Sequence, residues 1–327
     1  MILLWIGFLI IIVLLLILDL GVFHHKRHVI KAREAILWTL FWISLALLFN
    51  IFIYYGYKNH WLGIGSGAHQ VRTGGDAALK YFTGYIIEKS LSLDNIFVMA
   101  MIFSYFKVPA MYQHGVLFWG ILGALIMRGV MIIAGAALIE KFTWMIYVFG
   151  IFLIITAIKM LITRHDHIEP EKNVLIKLAK KIFPVTDGYK GAKFFTKLGK
   201  AKAITPLFLV LLIIESTDVL FAVDSIPAIF AVTTDPFIVF TSNIFAILGL
   251  RSLYFALAAM MDKFRYLKMS LVFVLAYVGI KMTLSHLFPI PTLVSLSIIG
   301  TMLLVGILSS IIAGNRDTAK LKSPGQA

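Results

Sequence analysis

Residues 215–227 read ESTDVLFAVDSIP and follow the apolar run ITPLFLVLLII, so Glu215, Asp218 and Asp224 sit inside a segment of bilayer length. Each charge at a bilayer centre costs roughly 2.5–3.5 kcal/mol on an insertion scale, and three acids in one span therefore need something that offsets them. A second stretch, EKSLSLDN at 88–95, adds Glu88, Asp94 and Asn95. At about 100° per residue Glu88 and Asn95 share a helix face, whereas Glu215, Asp218 and Asp224 are spread over about 180° and a straight helix cannot aim all three at one point. Pro227 has no N–H for the carbonyl of Val223, so the helix is expected to open near Asp224 and turn backbone oxygens toward a cavity. Carboxylates, the Asn95 amide, the Ser225 hydroxyl and carbonyls make an all-oxygen set. Such a set suits manganese, magnesium or calcium rather than copper or zinc, and the nine histidines all fall in loops or at helix ends.

The competing reading is a ligand-free scaffold in which Arg128, Arg251, Lys159 and Lys281 neutralise the acids. Arg128 and Arg251 lie near mid-span and must find partners, so they are expected beside the acids or as gates. Lys159 and Lys281 lie closer to helix ends, where snorkelling alone would account for them. Asp19, at the end of the first apolar run, reads as interfacial. Pure pairing does not explain why five acids crowd onto two segments, one of them carrying Pro227. A metal site is the better reading.

The elements that must position these residues are membrane helices. The chain of 327 residues is 60% hydrophobic and 14% charged, and its mean hydropathy of +0.93 leaves too little polar surface for a water-soluble domain. At about 20 apolar residues per crossing, nine helices are expected near 2–22, 36–57, 83–106, 114–139, 143–163, 205–230, 237–261, 267–288 and 292–313. The first run has its positive cluster, HHKRHVIKAR, after it rather than before, which suits a spanning helix and not a cleaved signal peptide. Of the basic residues behind the net charge of +14, ten lie between Arg164 and Lys202 and four within 26–33. Both clusters fit cytoplasmic loops facing the bilayer's inner leaflet rather than a nucleic-acid surface, which puts the N-terminus outside and the C-terminus inside. Within the long loop, NVLIKLAKKIF has the pattern of a helix lying on that leaflet.

The chain also repeats itself. LDNIFVMA at 93–100 aligns with TDVLFAVD at 217–224, LIMRG around Arg128 with LGLRS around Arg251, EKF at 140–142 with DKF at 262–264, and IKM at 158–160 with IKM at 280–282. The offsets are 124 residues for Asp94 and Asp218, 123 for Arg128 and Arg251, and 122 for Lys159 and Lys281. Three helices per unit force the second copy to enter from the opposite side, an inverted repeat that would bring Asp94 and Asp218 together near the midplane. The expected organisation is two N-terminal helices and an external loop (1–80), a first repeat (81–163), a basic cytoplasmic loop (164–203), an inverted second repeat (204–288), and a last helix with a cytoplasmic tail (289–327).

GYIIEKSLSLDNIFV, ESTDVLFAVDSIPAIFAVTTDPFIVFTSNIFAILGLRSLYF and GIKM resemble the TerC/Alx family of bacterial inner-membrane proteins over about residues 35–313. The resemblance implies manganese handling, chiefly efflux, with an older association of the wider family with tellurite resistance, and it places the family's acidic motif on Glu88, Asp94, Glu215, Asp218 and Asp224. The residues themselves reach a hard divalent cation and a carrier. No GxSxG, no Walker loop and no soluble domain for ATP point to an enzyme or an ATPase, and no bound cofactor is expected beyond the transported metal. The rival class is a non-transporting scaffold that assists metal loading or maturation of exported proteins.

Overall fold

The computed structural model describes residues 2–24, 32–65, 73–162, 173–198, 201–258, 267–285 and 287–322. The DKF landmark at 262–264 lies outside them. The chain is an all-α polytopic membrane protein built from α1 (Ile2–His24), α2 (Ala32–Lys58), α3 (Gly74–Tyr105), α4 (Ala110–Lys141), α5 (Met145–Ile162), α6 (Val174–Ile182), α7 (Pro206–Phe230), α8 (Pro236–Ile247), α9 (Leu250–Ala258), α10 (Leu267–Thr283) and α11 (Thr292–Lys322). Among the described residues seven segments are long and apolar enough to cross a membrane. The α10 helix is apolar but shorter, and α3 has the length but carries Asp76, Lys80, Glu88, Lys89 and Asp94.

Burial sorts the helices into a centre and a rim. All of Phe237–Ile247 in α8 is buried, and α3 and α7 pack against it and against each other. On α1, by contrast, Ile2, Leu3, Leu14 and Ile17 are exposed, as are Leu293, Leu304 and Leu308 on α11. In a bilayer such side chains face lipid tails, and only the buried faces can hold polar groups. The α4 helix lies along α7 and α8, and α5 along α10. That last contact is close because Gly150 and Gly279 meet: a Cβ on Gly279 would stand 2.8 Å from the Gly150 carbonyl oxygen.

Two expectations about helix continuity are corrected. The α7 helix does not open at Asp224; it stays helical through Pro227 to Phe230. With Pro227 only three residues from the helix end, the Val223 carbonyl is the single backbone acceptor that loses its donor. The interruption falls instead in the span expected as one helix over 237–261, where Leu248 is extended and Gly249 takes φ +80°, separating α8 from α9. Gly249 lies against Trp42 of α2, and a Cβ there would stand 2.6 Å from the Trp42 Cβ, so conformation and space both require glycine. Asp235 starts this broken span by accepting from the backbone N–H of Phe237 (3.0 Å) and Ile238 (3.3 Å), and its other oxygen accepts from the Tyr57 hydroxyl at 2.8 Å.

Between α5 and α7 the basic loop contains α6 and an unforeseen antiparallel hairpin, β1 (Phe195–Leu198) with β2 (Ala201–Ile204), in register Phe195 to Ile204. Thr205 is tied back to Lys193 and Phe194, so the hairpin closes directly onto the first turn of α7.

Candidate functional site: a buried charge cluster around Arg128

Arg128 projects from the middle of α4 into the space between α3 and α7 and is 2% exposed. Its Nε and Nη2 donate to the two oxygens of Asp218 at 3.2 and 2.9 Å, the parallel fork that a guanidinium makes with a carboxylate. Its Nη1 donates to Glu88 and, at 3.4 Å, to the Ser225 hydroxyl. Asn95 donates its amide to Asp218 at 2.9 Å, and Asn243 of α8 donates to the second oxygen of Glu88 at 3.1 Å. Four elements thus meet on one cation: α3 supplies Glu88 and Asn95, α4 Arg128, α7 Asp218 and Ser225, and α8 Asn243.

Local sequence explains the aim of each group. Glu88 and Asn95, seven apart, leave α3 on one face, as do Asp218 and Ser225 on α7, so two antiparallel helices present matched polar stripes toward α4. The amides are oriented by their neighbours, because each NH₂ faces a carboxylate. That leaves the carbonyl oxygens of Asn95 and Asn243, both on residues with no exposed surface, without a hydrogen-bond partner. Burying an acceptor unpaired is unfavourable by about 1–3 kcal/mol, and two such acceptors lie beside this one charge cluster.

The remaining acids show no hydrogen bond to Arg128, although Glu215 lies within electrostatic reach of Asp218. Asp94 is half-buried about 120° round α3 from Glu88. Glu215 is half-buried against α4 at Gly123, where a Cβ would overlap its carboxylate. Asp224 accepts from Thr156 of α5 at 2.9 Å and lies within electrostatic reach of Lys159. Of the five acids, Glu88 and Asp218 are bridged by Arg128, Glu215 lies within electrostatic reach of Asp218, and Asp224 turns to Thr156. Among the described residues no three of His, Asp and Glu gather in a metal-holding group. The angular spread of α7 is the reason: without a break near Asp224, Glu215 and Asp218 turn toward α4 at different points while Asp224 turns to α5.

Arg251 also goes elsewhere. It is 1% exposed and pairs with Asp19 of α1, donating as well to the Asp19 backbone oxygen at 2.8 Å. Asp19, expected at the bilayer interface, is thus a buried ion-pair partner. Lys281 is half-buried on α10 within electrostatic reach of Lys80 of α3.

Sequence reasoning missed two further residues. Asn243 sits in the apolar run TSNIFAIL, where a single amide carries a signal only once its burial is known. Lys89 had been passed over beside Glu88; its Nζ donates to the Ala246 carbonyl at 3.1 Å, placing an ammonium on the negative end of α8 just before the break.

Fold and site together define a polytopic membrane protein with a charged centre sealed among its spans. Residues 73–318 match the model of the integral membrane protein TerC family, and the chain belongs to that family. It is 50% identical over 309 residues to a membrane protein of Myxococcus xanthus, covering 94% of this chain and 92% of that one. It is 42% identical over 310 residues to the "Putative membrane-bound redox modulator Alx" of Photorhabdus laumondii, covering 94% of each chain. The protein of the same name from Escherichia coli O157:H7 is 41% identical over 326 residues, 98% of each. No solved structure matches the chain.

Proposed function

We propose that this protein is a secondary transporter that exports Mn²⁺ by alternating access, with the basic loop and C-terminus cytoplasmic and the N-terminus outside. The observation that carries the reading is the donor set around Arg128: one guanidinium bridges two buried carboxylates, Lys89 lies within electrostatic reach of Glu88, and two amide oxygens beside them have no hydrogen-bond partner. With both acids ionised, Arg128 and the nearby Lys89 offset their charge, and the cluster keeps a set of hard oxygen donors. Arg128 then acts as a resident counter-charge that the arriving ion displaces, which keeps the empty carrier from burying bare carboxylates. The rocking bodies would be the two repeat units, and the way α3 meets α8 while α4 meets α7, each unit's first helix on the other's second, supports that exchange. Geometry argues for a hard divalent cation; manganese and the outward direction follow from the family resemblance.

The redox role in the printed name of the Alx relatives bears on the same reading. This chain contains no cysteine, so it has no thiol to oxidise or exchange, and a redox effect would run through the metal it moves. Purified protein in liposomes tests the proposal. Mn²⁺ entry into vesicles under an imposed proton or sodium gradient is expected, and no flux above protein-free vesicles under any gradient would favour the scaffold.

A further inference from the structure

The span Pro236–Leu257 is almost wholly buried, and yet it is two helices. The N–H of Leu248 still reaches back to the Ile244 carbonyl at 2.9 Å; Leu248 is then extended, Gly249 takes φ +80°, and the ladder resumes with the N–H of Leu253 on the Gly249 carbonyl at 2.9 Å. A helix end leaves its last carbonyls without donors from a following turn, and it carries the negative end of the helix dipole. Ala246, Ile247 and Leu248 are all buried, so water does not solvate this end as it does at a surface.

What meets it is a charge. Lys89 of α3 donates from Nζ to the Ala246 carbonyl at 3.1 Å, and Glu88 is within electrostatic reach of the same ammonium. The last turns of α8 also touch the Arg128 cluster. Asn243, three residues before Ala246, donates to Glu88 at 3.1 Å and keeps its own carbonyl oxygen, wholly buried, without a hydrogen-bond partner. The end of α8 and the Glu88–Asn243 edge of the cluster are thus joined through adjacent residues of α3 and one turn of α8. In broken membrane helices this arrangement serves free ions: carbonyls at the C-terminal end of a half-helix coordinate a monovalent cation. A lysine ammonium is a compact point charge that seeks the same oxygens, but it comes on a tether.

We propose that the broken end of α8 is an alkali-cation position, formed by the Ala246 carbonyl beside Glu88 and Asn243, and that the Lys89 ammonium fills it as a built-in substitute for a free sodium or potassium ion. This goes beyond transport of a divalent metal, because the position is defined whatever ion the protein moves. It also differs from a simple helix-end contact. Such a contact is lost with Lys89, whereas a cation position keeps its oxygens when Lys89 is removed and takes up a free ion in its place.

The test removes the tether and offers the free ion. Full-length Lys89→Ala protein, purified in detergent without Mn²⁺, is melted in sodium chloride, potassium chloride or choline chloride at equal ionic strength, beside wild type and Lys89→Arg. In choline the Lys89→Ala variant is expected to melt below wild type. Sodium or potassium should then raise its melting temperature by about 2 °C or more, saturably with ion concentration. Wild type and Lys89→Arg, whose own cations occupy the position, should melt alike in all three salts. No rise of Lys89→Ala in either alkali salt would overturn the proposal, as would an equal rise in choline or an equal rise in wild type. Lys89→Ser is carried as a second small replacement. Failure to recover either variant folded in any of the three salts would also overturn it, since a free ion should have filled the place. Because melting is read without Mn²⁺, a wild-type protein that moved no Mn²⁺ in liposomes would end the transport reading while the salt series still judged the cation position.

Discussion

Arg128 and Arg251 stand 123 residues apart in matched sequence, both are almost wholly buried, and they are bonded differently. Arg128 faces two carboxylates and a hydroxyl, whereas Arg251 pairs with one carboxylate and that residue's own backbone. The second arrangement sets the guanidinium against the carboxylate and the backbone oxygen of a single residue of α1. The first sets two carboxylates from two helices on one guanidinium, beside amide oxygens still unpartnered. The backbones differ in step: Arg128 lies in an unbroken α4, while Arg251 follows the break at Leu248–Gly249 by two residues. Neighbouring helices bring two acids to Arg128, whereas Arg251 takes its carboxylate from α1.

Removing each arginine is the largest perturbation that separates the two. Arg128→Met strands Glu88 and Asp218 against each other, and Arg251→Met strands Asp19; each is expected to lower stability by about 3–5 kcal/mol. The difference should appear when Mn²⁺ is added. The melting temperature of Arg128→Met should rise, because a divalent cation can take the vacated place between two carboxylates, and that of Arg251→Met should not. Equal recovery in both variants, or in neither, would remove the distinction.

The acids give a narrower contrast. Asp218→Asn keeps the volume but removes one of the two carboxylates, and Mn²⁺ affinity measured by calorimetry should fall at least roughly tenfold, about 1.4 kcal/mol or more. Asp19→Asn should lose stability with affinity unchanged. Next in size is the break itself. Gly249→Ala must hold a positive φ against Trp42, at about 1–3 kcal/mol. At the matching position of α4, Ile126→Ala in an unbroken helix on an exposed side chain should stay within about 0.5 kcal/mol in a thermal unfolding comparison.

Much of this centre was legible in the sequence because its signals are local. The seven-residue spacing of Glu88 to Asn95 and Asp218 to Ser225 fixes a shared helix face, and a mid-span Arg128 must find acids. The spread of Glu215, Asp218 and Asp224 round α7 was legible too, but its consequence was misjudged. Pro227 suggested an opening, and the helix simply continues. What stayed hidden depends on tertiary fit. Gly249 is one isolated glycine in an apolar run, and only the Trp42 ring beside it forces the break. The Asp19 partner of Arg251 lies 232 residues away, and nothing in either segment points to the other.

The smallest contrast asks whether Asp224 belongs to the Arg128 centre. Its partner Thr156 sits in α5, and 122 residues later in the repeat frame stands Val278, buried, while the counterpart of Asp224, 124 residues earlier, is Ala100. One half of the molecule therefore has a hydroxyl on a carboxylate where the other has two apolar side chains. Thr156→Val makes the first half resemble the second with almost no change of volume, removing a single 2.9 Å hydrogen bond to a half-buried acid. The expected loss is about 0.5–1.5 kcal/mol of stability. Because Asp224 faces α5 rather than Arg128, equilibrium Mn²⁺ affinity should stay within about twofold, under about 0.5 kcal/mol. A tenfold fall in affinity would place Asp224 in the cation's coordination, and the division of α7 into an acid that serves the Arg128 cluster and one that serves the helix contact with α5 would have to be redrawn.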